Sequence, residues 1–81
     1  MASRLRALGG RDVLRALGEL GFEVAATRGS HAKLRRVTAR GEVQILTVPL
    51  HKDLAVGTLR AIYRQACRFV AEDELRRWFF G

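Results

Sequence analysis

Six consecutive residues, His31, Ala32, Lys33, Leu34, Arg35 and Arg36, carry the densest candidate chemistry in the sequence. In an extended chain the side chains alternate, so His31, Lys33 and Arg35 share one face while Ala32 and Leu34 share the other. An imidazole flanked by cations suits a phosphodiester: the cations hold phosphate oxygens and the imidazole transfers protons near neutral pH. A strand histidine can equally be ordinary surface, and periodicity alone leaves both readings open. The second histidine, His51, falls in a loop with Lys52 and Asp53. If a regular hairpin closes between them, residues near Val48 and Pro49 oppose His31. His51 then reaches the same end of the sheet, where two imidazoles could divide general base and general acid work with neither metal nor cofactor. A hydrogen bond within the loop accounts for His51 as well.

The overall charge points to a polyanionic partner. Lys and Arg number 15 against 8 Asp and Glu, a formal net charge of +7 in 81 residues, and the pI is near 11.3. Thirteen of the 15 are Arg, whose planar fork grips phosphate at two points and stacks on bases, favouring nucleic acid over a membrane surface. Solubility is the bland account of the same excess. Arg28, ending the first strand, and Lys52, beside His51, join Lys33 and Arg35 as candidate RNA contacts. Arg60, Arg64 and Arg68 recur at i, i+4 and i+8 as one basic helix edge. A solvated face explains that edge as well as a phosphate-tracking ridge does.

Other chemistries fit poorly. The carboxylates are scattered or gathered in Glu72, Asp73 and Glu74, not clustered as a two-metal nuclease needs. Gly9-Gly10 is too short to be a phosphate-cradling loop. Ser30 and His31, neighbours on an extended chain, cannot face each other as a triad requires. One cysteine, Cys67, excludes an internal disulfide and reads as a buried spectator. The sequence shows neither a signal-peptide stretch nor a run of apolar residues long enough for a membrane span, so the expected location is the cytoplasm and no membrane partner is expected.

Residues of hydrophobic type make up 48% of the chain, enough for a single domain over residues 1–81. Val13, Leu14, Leu17 and Leu20 predict a helix over 11–20, with Asp12 near its start and Gly21 as its stop. Leu5 and Leu8 form a preceding turn set apart by Gly9-Gly10. Over 22–28 the period becomes two, with Phe22, Val24 and Ala26 alternating against Glu23, Ala25 and Thr27, which predicts a strand. Gly29-Ser30 makes a tight turn into a second strand over 31–37. A polar loop over 38–41 leads to a third strand over 42–48, which Pro49 stops. Thr58 caps a second helix whose packing stripe is Leu59, Ile62, Tyr63 and Ala66, with Tyr63 in the core rather than a stacking platform. A third, short helix covers 71–78, acidic at its start and basic at its end as the helix dipole prefers. Trp78, Phe79 and Phe80 are unusually apolar for a tail and either fold back on the core or meet a partner. The order predicts an α+β fold, a three-stranded antiparallel sheet with both main helices on one face and the other face open.

Two runs carry a family resemblance. LRALGELGFEVAATRGSHAKLRR resembles the opening of HicA-type toxins, in which a helix ending LGF leads into a strand and a GSH turn. VPLHKDLAVGTLRAIYRQA is similar to the same family's hairpin exit and second helix, with its PLH, GTL and RQA pieces in order. The likeness covers roughly residues 10–67. It implies a double-stranded-RNA-binding-domain-like α-β-β-β-α fold and metal-independent cleavage of messenger RNA by the GSH histidine, here His31. It also implies a HicB-type antitoxin that covers the toxin's active face. Two departures stand out: Ala32 replaces the second histidine of many members, and CRFVAEDELRRWFFG after Ala66 departs from the usual small-residue turn.

On this reading the open face holds RNA by its phosphates, together with the arginine edge. His31 serves as general base or acid while the ribose 2′-OH attacks phosphorus, and Lys33 and Arg35 stabilise the developing charge. A non-catalytic RNA-binding module of the same fold satisfies charge and topology equally. A third reading is an inactive interaction protein that keeps its basic face for an acidic partner.

Overall fold

The computed structural model describes residues 4–81. Its elements are α1 (Gly10–Glu19), β1 (Glu23–Arg28), β2 (His31–Val37), β3 (Val43–Pro49), α2 (Val56–Ala66) and α3 (Glu72–Phe79). The strands form one antiparallel sheet in the order β1-β2-β3. This is the α+β arrangement that the residue patterns predict, in the double-stranded-RNA-binding-domain-like order that the family resemblance implies.

Alternation decides which face of the sheet is covered. Ala32 and Leu34 of β2 and Leu46 and Val48 of β3 are at most 2% exposed. They form one core with Val13 and Leu17 of α1 and Leu59 and Ile62 of α2. Each Val, Leu or Ile among them, fully buried, contributes about 1.5–3 kcal/mol. Lys33, Arg35, Ile45 and Thr47, one position out of phase, lie exposed on the other face. The molecule is 17 Å across its shortest axis, the thickness of one sheet and one helical layer.

Arg36 belongs to the inner phase and is half-buried, and it ties four segments together. Its Nε donates to Gln44 Oε1 at 2.7 Å, one terminal nitrogen to the Leu20 carbonyl at 3.0 Å and the other to the Phe69 carbonyl at 2.7 Å. The guanidinium lies 5.1 Å from the centre of the Phe22 ring. Leu20 is where α1 stops: Gly21 N–H donates to Gly18 O and Phe22 N–H to Leu17 O, the paired bonds of a Schellman ending. Arg36 therefore locks the end of α1 to the sheet and to the α2–α3 turn.

Three local expectations are corrected. Thr58 does not cap α2; the helix begins earlier, with Ala55 as N-cap and no side-chain cap. The reason is tertiary, since buried Leu54 donates its N–H to Leu8 O at 3.0 Å and holds the chain in place ahead of the helix. Leu5 and Leu8 make no turn; the segment is extended, and Leu5 bridges Phe80. Arg6 N–H donates to Phe79 O at 2.7 Å and Gly81 N–H to Arg4 O at 2.9 Å. Pro49 is the last residue of β3, one later than expected.

The apolar tail folds back. Leu75 and Phe79 have no exposed surface, and the Tyr63 ring meets Phe79 and Phe80 edge-on at 5.5 and 5.2 Å. Tyr63 Oη donates to Glu72 Oε2 at 2.9 Å. Cys67 is half-buried beside it, and burial pushes its thiol pKa up.

Two measurements check this account. Arg36→Met leaves two carbonyls without their charged donor and is expected to cost about 2–4 kcal/mol in chemical denaturation, with Arg36→Lys recovering less than half. Burial, then the bond to Glu72, pushes the Tyr63 hydroxyl up to about 12. The folded state holds this proton more tightly than the unfolded chain, whose value is about 10. That stabilisation is whole below pH 10 and is lost as pH rises towards 12. Tyr63 is the only tyrosine, so phenolate absorbance should show a midpoint near 12 when folded and near 10 in denaturant. A folded midpoint near 10 would refute it.

Candidate active site

A two-residue turn joins Arg28 to His31, which face each other as the last pair of the β1–β2 ladder. Gly29 sits at φ +58 and Ser30 is not in the positive-φ region. That is the requirement of a type II′ hairpin, with glycine first.

The ladder slips once behind this turn. Val24 pairs with Leu34, but Ala26 pairs with Lys33, leaving Ala25 as the extra residue of a bulge. The uniform alternation expected for β1 is thereby corrected: Val24 and Ala26 lie on opposite faces, and every residue of β1 is exposed. The bulge turns over the second half of the strand, so Ala26 and Arg28 come onto the face of Lys33 and His31.

Two cross-strand rows result on the uncovered face, Arg28–His31–Pro49 and Ala26–Lys33–Thr47. Ala26, Arg28, His31, Lys33 and Thr47 wall a cleft of about 360 Å³. Directly opposed residues stand about 5 Å apart and successive same-face residues about 7 Å, so one phosphate can touch groups from both rows. Among the described residues, the side chains of Arg28, His31 and Lys33 have no hydrogen-bond or ion-pair partner. Their polar groups are free to meet a ligand. The methyl of Ala26 leaves the floor low, and Thr47 adds a hydroxyl. Thr47 is absent from the sequence-based candidates, although continuing the His31–Pro49 register by two residues finds it.

The other candidates lie elsewhere. Arg35 is on the same face one row further along, opposite Glu23 and Ile45 and outside the cleft. His51 reaches the same end of the sheet, two residues past the partner of His31, yet it lines a different cavity. That cavity, of about 490 Å³, lies at the start of α1, and Lys52, Arg11 and Arg15 line it too. Gly9-Gly10 makes this placement possible. Gly10 N–H donates to His51 O at 2.8 Å. A Cβ on Gly9 would strike the Lys52 carbonyl, and one on Gly10 the Pro49 carbonyl and Leu50 Cα. Arg60 and Arg64 line a third cavity, of about 380 Å³, with Tyr63, Cys67, Glu72 and Phe80. It is built on α2, in the layer away from the open face. Because α2 ends at Ala66, Arg68 falls in the following turn and the basic edge on the helix is two arginines long.

Among the described residues no three His, Cys, Asp or Glu side chains gather as a metal-binding group. No helix there is long and apolar enough to cross a membrane.

The family model for HicA toxins of bacterial toxin–antitoxin systems matches residues 10–66. That span runs from the first residue of α1 to the last of α2 and contains the whole cleft. Among curated proteins and among solved structures, none matches.

The two kinds of glycine in and before α1 should separate cleanly. Gly10→Ala must push backbone aside and is expected to destabilise by about 2–3 kcal/mol. Gly18→Ala, with nothing within 4 Å of the added methyl, is expected to stabilise by about 0.5–1 kcal/mol. Equal effects of the two in denaturant titrations would contradict the close approach.

Proposed function

The chain belongs to the HicA toxin family, and from that premise we propose that it is a metal-independent endoribonuclease that cleaves messenger RNA in the cytoplasm. A HicB-type antitoxin holds it inactive. One observation carries the reading: His31 shares an open cleft with Arg28 and Lys33, and none of the three side chains has a partner among the described residues.

The chemistry uses the substrate's own nucleophile. A phosphate enters the cleft with its non-bridging oxygens against the Lys33 ammonium and the Arg28 fork. The His31 imidazole takes the proton of the adjacent 2′-OH, and that oxygen forms a bond to phosphorus. The bond to the 5′-oxygen breaks, and the leaving oxygen is protonated from the water that the open face admits. The products are a 2′,3′-cyclic phosphate and a free 5′-hydroxyl. Negative charge grows on the non-bridging oxygens in the transition state, where the two cations act most strongly. Arg35, one row along, is placed to meet a neighbouring phosphate. Lys52 acts from the adjoining cavity, and Arg60 and Arg64 are too far into the helical layer to touch the reacting group.

The antitoxin part of the reading is supported by the same face. From the Arg35 row onward it turns aliphatic, with Ile45 beside Arg35 and Val37 and Val43 beyond it, at 40%, 48% and 52% exposure. Side chains of that kind are suited to burial under another protein.

The experiment is cleavage of a long single-stranded RNA in EDTA by the wild type and by His31→Ala. The wild type should cut RNA, leave DNA of the same sequence intact and produce cyclic phosphate ends. His31→Ala should lose at least about 100-fold in rate while RNA binding is retained. Binding without cleavage by either protein would make the domain a non-catalytic RNA-binding module. Equal cleavage by both would place the active site elsewhere.

A further inference from the structure

We propose that the cavity lined by His51 is the mouth of a groove for single-stranded RNA. It receives the strand flanking the scissile phosphate and runs along the outer face of α1 to Trp78. The proposal rests on the reading that the His31 cleft cleaves RNA, and it assigns the part of the substrate that lies outside that cleft.

Continuity is the first observation. The 490 Å³ cavity at the start of α1 and a smaller one of about 100 Å³ share Asp12 and Arg15 as walls, and the smaller one adds Arg6 and Trp78. Position is the second. Pro49 lies opposite His31, and His51 is two residues on, at most about 7 Å of chain. That equals about two nucleotide rises along a stacked strand. An RNA strand leaving the cleft past Pro49 meets this mouth next.

The lining chemistry favours a nucleic-acid strand. Arg11 and Arg15, at i and i+4, present one helix face, and Lys52 stands on the loop beside them. Among the described residues these three side chains have no hydrogen-bond or ion-pair partner. The Arg6 side chain gives one bond, at 3.3 Å, to the Trp78 carbonyl. Two acids, Asp12 and Asp53, stand against the four cations Arg6, Arg11, Arg15 and Lys52, and Asp12 Oδ2 accepts from the Gly9 N–H at 2.8 Å. The half-buried Trp78 indole closes the far end. A line of cations ending on an aromatic ring is how single strands are held without sequence preference, each stacked base contributing about 1–3 kcal/mol. The path bends from the open sheet face round to the helical layer, which a flexible single strand follows and a stiff duplex does not.

Trp78 is the only tryptophan in the chain, so its emission reports directly on the end of the groove. The test titrates His31→Ala protein, which leaves RNA intact, with a labelled single-stranded RNA of about twelve nucleotides, a length such a groove can cover. A dinucleotide serves as the short comparison. The longer RNA should quench Trp78 while the dinucleotide binds without quenching. Arg11→Gln combined with Arg15→Gln should weaken binding of the longer RNA about tenfold and lower its salt slope by about 1.4. Binding with unchanged Trp78 emission, undiminished in the double variant, overturns the groove. Quenching by polyglutamate but not by RNA also overturns it, assigning the surface to an acidic protein segment. If wild type cleaves RNA through His31 while Trp78 stays silent, the groove fails alone. If no RNA binds at all, both readings fail.

Discussion

A strand has two faces, and in this molecule the helices cover only one of them. Once Ala32, Leu34, Leu46 and Val48 are buried under α1 and α2, the period of two forces His31, Lys33 and Arg35 outward. A one-residue slip of β2 would bury an imidazole, an ammonium and a guanidinium and expose the core. The register that makes the fold stable is thus the register that assembles the cleft. The β1 bulge adjusts this rule locally, bringing Arg28 into line with His31 without moving β2.

The two ends of the sheet are fastened by different means. At one end Arg36 satisfies backbone carbonyls from α1 and from the α2–α3 turn, a polar anchor within an otherwise apolar layer. At the other, Gly9-Gly10 lets α1 press backbone to backbone against the segment after β3. The second contact decides where His51 goes. Had a larger residue stood at either glycine, the loop would stand off from α1, and the separation between the His31 cleft and the His51 cavity would not be fixed.

Much of this was legible in the residue pattern because it is local. The α-β-β-β-α order, the Gly29-Ser30 turn, the outward row of His31, Lys33 and Arg35, and the opposition of His31 by Pro49 all follow from period and turn chemistry. What escaped is non-local. The bulge at Ala25 leaves no mark in the sequence of β1, whose alternation looks regular. Arg36 reads as one more surface cation until alternation is carried two residues past Leu34. Thr58 is a good capping residue in isolation, yet the contact of Leu54 with Leu8 starts the helix before it. The pairing of residues 4–6 with 79–81 spans the whole chain, beyond the reach of any window. The placement of Arg60 and Arg64 is non-local too: helical spacing shows that they share an edge but not which layer of the molecule that edge faces.

The uncovered face is not uniform, and its asymmetry bears on how a toxin of this kind is controlled. Around the cleft it is cationic and hydrophilic, while from the Arg35 row onward it becomes aliphatic at Ile45, Val37 and Val43. In the proposed reading RNA gains from the first half through phosphate contacts and little from the aliphatic side chains, which offer no aromatic platform. A folded protein partner gains from both, burying the aliphatic half while its carboxylates meet the cations. In the proposed reading the two ligands therefore compete unequally for one surface. The substrate's contribution is mostly electrostatic and screened by salt. The protein partner adds apolar burial, which salt does not weaken. A face built this way lets an antitoxin hold its toxin under ionic conditions in which RNA exchanges, without any residue of the cleft having to change.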